Sequence, residues 1–109
     1  MTEKITVSRL LEFYGALITE KQATALSMYH NMDLSLAEVA ENMDITRQGA
    51  RDLIKKGEAH LREFETTLGM VKKFDGILAI TDKMKILSDK TADKELSDMA
   101  YQITEILEL

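Results

Sequence analysis

Between Thr46 and Arg62 the chain gathers side chains of the kinds that meet nucleic acid: Thr46, Arg47, Gln48, Arg51, Lys55, Lys56 and Arg62. Glutamine can pair bidentately with adenine and arginine with guanine, so Gln48 and Arg51 are the candidate base readers. Thr46, Arg47, Lys55, Lys56 and Arg62 suit phosphate oxygens, and Thr46 would add the free amides of the helix that starts there. Asp52, on the same side, opposes phosphate.

Charge isolates this stretch from the rest of the molecule. The 109 residues carry 14 Lys and Arg against 19 Asp and Glu, a formal net charge of −5, which is the wrong sign for gripping nucleic acid by overall field. Residues 1 to 46 hold three basic and seven acidic side chains, whereas 47 to 62 hold five basic against two acidic, Asp52 and Glu58. Binding of an anionic polymer is therefore expected to be local to this one segment.

The elements that must position these residues are legible from caps and spacing. Ser35 and Glu38 form a capping box, opening a short helix whose apolar positions are Leu36, Val39, Ala40 and Met43. Asp44 falls where a turn needs left-handed geometry, which Asp tolerates, and Thr46 caps the helix that follows. In that second helix Ala50, Leu53, Ile54, Gly57, Leu61, Phe64 and Leu68 hold helical spacing without a slip, and Gly69 offers a stop. A short helix, a tight turn and a long capped helix make a helix-turn-helix, and its outward side presents Gln48, Arg51, Asp52, Lys55 and Arg62.

Upstream, Val7, Leu10, Leu11, Phe13, Tyr14, Leu17 and Ile18 predict a core helix ending near Ile18, and Thr19 with Gln22 opens another that stops around Asn31. Downstream, Ile77, Ile80, Met84 and Leu87 repeat at the offsets of a narrow packing seam, as do Leu96, Met99, Ile103 and Ile106, with a break expected between Ser88 and Asp93. Two such helices can fold as a hairpin, dock on the preceding domain, or meet the same pair from a second subunit. Ile77, Ile80, Met84 and Leu87 are accordingly the candidate partner-binding residues. The expected organisation is all-α: a helix-turn-helix domain over residues 1–69 and a helical hairpin over 70–109, serving packing or dimerisation.

Composition limits the alternatives. The absence of Pro and Cys leaves helices unbroken and rules out a disulfide or thiolate metal site. No apolar run approaches the roughly 20 residues of a membrane span, and the N-terminus lacks a signal-peptide layout, so a cytoplasmic protein without membrane association is expected. His30 and His60 are far apart, neither has a ligand partner at helical spacing, and no phosphate-cradling glycine loop appears. The carboxylates are spread along helix faces. No catalytic residue, metal ligand or cofactor is expected.

The run from Leu17 to Glu63 resembles region 4 of the bacterial sigma factors: a T-x-x-Q helix start at Thr19 to Gln22, then Tyr29 with Leu34-Ser35, Glu38-Val39-Ala40, and the capping Thr46. More closely, LLEFYGALITEKQ, DLSLAEVAENMDITRQGARD and LREFETTLGMVKKF resemble the YlxM family of small bacterial proteins, whose genes neighbour those of the signal recognition particle GTPases. The likeness is specific over the N-terminal two thirds and is one of general character beyond it. It implies a DNA-binding regulatory protein with a sigma-region-4-like helix-turn-helix, linked to the signal recognition particle pathway. The alternative it leaves open is an interaction module that acts on the particle's protein or RNA without binding DNA. Two residues depart from the usual pattern. Gly49 falls inside the first turn of the second helix, where it costs roughly 0.5 to 1 kcal/mol relative to Ala. Ala50 stands where many such motifs have a larger branched residue.

Overall fold

A computed structural model describes residues 4–108. Among them the secondary structure is entirely helical: α1 (Val7–Tyr14), a 3-10 turn (Gly15–Leu17), α2 (Glu20–His30), α3 (Leu36–Met43), α4 (Arg47–Leu68), α5 (Met70–Thr91) and α6 (Lys94–Leu107). They form two compact units, one ending at Gly69 and one beginning at Met70.

The first unit is built around α4, which packs against α1, α2 and α3. Its buried stripe of Ala50, Ile54, Gly57 and Leu61 meets a core supplied by Val7, Leu10 and Tyr14 of α1, Ala25 and Leu26 of α2, and Val39 and Ala40 of α3. Each fully buried Leu, Val or Ile contributes roughly 1.5–3 kcal/mol, so this shared stripe is the main force holding α4 in place. Gly57 marks the tightest crossing: a Cβ there would stand 2.7 Å from Leu26 Cδ1 and 3.2 Å from Gln22 Cβ. The Tyr14 hydroxyl donates to Glu65 Oε1 at 2.6 Å and its ring lies 5.9 Å from that of Phe64, fastening α1 to the far half of α4.

The caps act where the sequence puts them. Thr6, Thr19, Ser35 and Thr46 each accept from the backbone amide three residues on, and both Thr19 with Gln22 and Ser35 with Glu38 close full capping boxes. The first helix is shorter than expected: α-helical bonding ends at Tyr14, and the 3-10 turn leaves Leu17 57% exposed rather than in the core. Gly15 and Ala16 give that segment little to bury, so the chain tightens towards the Thr19 cap.

In the second unit α5 and α6 form an antiparallel hairpin. The turn is shorter and later than expected. Helix α5 continues through Ser88 to Thr91, and only Ala92, at φ 54°, and the capping Asp93 intervene. The seam is also displaced. Leu78, Thr81, Lys85 and Ser88 carry the inward positions of α5, opposite Leu96, Ala100, Ile103 and Leu107 of α6. Relative to the apolar stripe of Ile77, Ile80, Met84 and Leu87, every seam position on α5 lies one residue later, about 100° round the helix. The physical reason is side-chain size. Thr81, Ser88 and Ala100 are small, and Thr81 Oγ1 and Ser88 Oγ donate to the carbonyls of Leu78 and Lys85, so buried hydroxyls are satisfied within α5 while the helices approach. Met84 is half-buried at the seam's edge; Ile77, Ile80 and Leu87 stay exposed. No helix among the described residues is long and apolar enough to cross a membrane.

Candidate nucleic-acid interface

Helix α3 ends in a left-handed residue, Asp44 at φ 54° and ψ 49°, whose amide bonds back to the carbonyls of Ala40 and Glu41; the Ile45 amide returns to Ala40 at 3.0 Å. This closure satisfies the last carbonyls of α3 and turns the chain sharply. Thr46 then starts α4, its hydroxyl accepting from the Gly49 amide at 2.9 Å. Gly49 has a packing role here, because a Cβ at that position would stand only 3.1 Å from Thr46 Oγ1. Ala50 is fully buried, and its small side chain suits the close packing of α3 against α4.

With Ala50, Ile54, Gly57 and Leu61 turned inward, Gln48, Arg51, Asp52, Lys55 and Ala59 lie on the outward side and are all exposed. Thr46, Arg47 and Lys56 are exposed beside them. Arg47, Arg51, Lys55 and Lys56 make no hydrogen bond or ion pair among the described residues, so four free cations line the N-terminal half of α4. Gln48 Nε2 donates to Asp52 Oδ1 at 3.0 Å, which leaves its carbonyl oxygen and second N–H available for a base edge. Asp52 is the one anion within the outward stripe, and Glu41 and Asp44 are exposed close by in sequence.

Arg62 stands apart from this group. Its guanidinium bonds to Glu58 Oε1 and, at 3.1 Å, to the main-chain carbonyl of Ile5, which pins the segment ahead of α1 to the middle of α4. Glu58, at helical spacing, could have been read as its partner; a carbonyl 57 residues away leaves no trace in sequence. Ala59 was missed for the opposite reason, since a small residue announces nothing, yet it keeps the outward side low between Lys55 and Arg62. Glu38 is held below the usual glutamate range by the Ser35 amide and then the Ser35 hydroxyl, so the capping box that opens α3 is ionised at neutral pH. Among the described residues no group of three or more His, Cys, Asp or Glu could hold a metal ion.

A capped short helix, a left-handed turn and a longer helix with an uncovered basic side define a helix-turn-helix protein. The family model of UPF0122, described as "Putative helix-turn-helix protein, YlxM / p13 like", matches residues 1–102. UPF0122 proteins similar to this chain include one from Thermoanaerobacter sp. (strain X514), 39% identical over 103 residues that span 91% of this chain and 88% of the relative. Another, from Clostridium acetobutylicum, is 42% identical over 99 residues, 87% of this chain and 85% of the relative. A third, from Bacillus cereus (strain AH187), is 37% identical over 109 residues, 99% and 97% respectively. The chain belongs to the UPF0122 family.

Proposed function

We propose that this protein is a nucleic-acid-binding regulator that places the N-terminal half of α4 in the major groove of duplex DNA. The observation that carries this reading is the run of four unpaired cations around an exposed Gln48, on a helix whose other side is buried in the core. In this reading Gln48 and Arg51 meet base edges, while Arg47, Lys55 and Lys56 meet phosphates together with Thr46 and the α4 amides. Arg62 is withdrawn from the phosphate set by its bonds to Glu58 and Ile5. The YlxM resemblance supplies the setting, the signal recognition particle pathway.

Fluorescence anisotropy with random-sequence duplex DNA and with signal recognition particle RNA, each at low and moderate salt, tests the proposal. Salt-sensitive duplex binding that Arg51→Ala weakens severalfold is expected. Silence on duplex overturns it, and binding to the RNA alone moves the function to the particle.

A further inference from the structure

We propose that the C-terminal hairpin is a dimerisation element, and that the surface formed by Ile77, Ile80 and Leu87 of α5 with Met99 and Ile106 of α6 packs against the same surface of a second copy of this chain. This inference stands on the hairpin alone and does not depend on what α4 binds.

The placement follows from the seam. In an antiparallel helix pair, positions immediately preceding the inward ones line the same edge on both helices. Ile77 and Met84 precede Leu78 and Lys85 on α5, and Met99 and Ile106 precede Ala100 and Leu107 on α6. These four therefore share one side of the hairpin, with Ile80 and Leu87 extending it outward on α5. The opposite side carries Asp82 and Asp89, with Lys85 Nζ bonded to Thr104 Oγ1 at 3.1 Å and set 4.5 Å over the Tyr101 ring. One side is thus apolar, while the other mixes these charges with Ile86 and Tyr101, 57 and 56% exposed.

Area favours a protein occupant. Ile77, Ile80, Leu87, Met99 and Ile106 are 41, 60, 53, 49 and 66% exposed. They leave on the order of 500 Å2 of apolar side chain on one side of a short hairpin, at the upper end of the largest patch on an ordinary monomer. Two copies would bury about 1,000 Å2 from these residues alone, the size at which specific interfaces begin. The seam within the hairpin alternates Leu78, Leu96, Ile103 and Leu107 with the smaller or polar Thr81, Lys85, Ser88 and Ala100.

Charge identifies the occupant as a second copy. Beyond the apolar side, the outer flank of α5 carries Lys83 and Lys90, whereas the outer flank of α6 carries Glu95, Asp98 and Glu105 with Lys94 at its start, all exposed, which leaves the α6 flank net acidic. Turning one hairpin over about an axis parallel to its helices lays α5 of each copy on α6 of the other. Lysines then meet carboxylates at both rims, and every neighbouring helix pair in the four-helix bundle is antiparallel. Turning it about the perpendicular axis would set lysine on lysine. The surface is self-complementary in the first arrangement only.

Sedimentation equilibrium of the full chain over the micromolar range should show a dimer, and Ile80→Asp combined with Ile106→Asp should yield a monomer of unchanged helicity by circular dichroism. Both sites are more than half exposed in the single chain, so the substitutions spare its own core. A charge exchange tests the arrangement without touching the apolar side. Lys83→Glu with Lys90→Glu, and separately Glu95→Lys with Asp98→Lys, should each raise the dimer dissociation constant severalfold, and mixing the two variants should restore association as a heterodimer. A wild-type chain that stays monomeric up to its solubility limit gives this surface to a different partner and overturns the proposal. A dimer unmoved by the aspartates, or charge variants that fail to complement, overturns it as well.

Discussion

Arg51 and Arg62 are eleven positions apart on one helix and have opposite assignments. Arg62 spends its guanidinium on Glu58 and the Ile5 carbonyl, with its side chain about a third exposed. A partly solvated, charge-assisted arrangement of this kind stabilises by about 1 kcal/mol. Arg62→Ala should lower the unfolding free energy measured by urea titration by about 1 kcal/mol and leave duplex affinity within twofold of wild type. Arg51→Ala should do the reverse, because no hydrogen bond or ion pair among the described residues uses its charge. Urea titration and anisotropy on the same two variants separate the roles; equal effects on affinity would return Arg62 to the phosphate-contacting set. Asp52 is the residue-level restraint on this surface, since it takes one Gln48 N–H and opposes phosphate beside Arg51 and Lys55.

At the scale of the element, helix starts respond to pH. Because Glu38 is held below its usual value in the folded state, its contribution is fully present above the ordinary glutamate pKa and is lost as pH falls through the depressed one. Wild-type stability followed by urea titration should therefore decline across the acid side of the carboxylate range more steeply than that of Glu38→Gln; superimposable profiles would remove the capping box from the account of α3. Such starts were legible in the sequence because a cap is a local event: Thr19, Ser35 and Thr46 act on amides three residues away, and Gly69 at φ 62° ends α4. The hairpin seam was less so. Apolar periodicity identified a real stripe on α5, but which side of a helix is buried depends on its neighbour, and here small residues at Thr81, Ser88 and Ala100 took the inside. The cations of α4 were legible by type and spacing, while the withdrawal of Arg62 rests on a main-chain oxygen that no side-chain pattern encodes.

For the whole molecule, a net charge of −5 and an isoelectric point near 5.0 mean that the long-range field repels nucleic acid and the attraction begins only at contact. Four free cations on α4 set a ceiling on how many phosphates are neutralised. Each contributes about −0.9 to the slope of log affinity against log salt, so duplex binding should show a slope of about −2.7, with three of them on phosphates, to about −3.6 at the ceiling, in an anisotropy titration over salt. A slope much steeper would require cations outside α4. The crossing that holds this basic helix in place has a further consequence, for the routes by which the sequence can change. At Gly57 the space for a single methyl group is already filled by Leu26, which is itself fully enclosed. Residue 57 cannot grow unless residue 26 gives way and Gln22 Cβ, 3.2 Å from the added atom, also yields by a few tenths of an ångström, so a change at 57 is tied to two positions on α2 rather than free on its own.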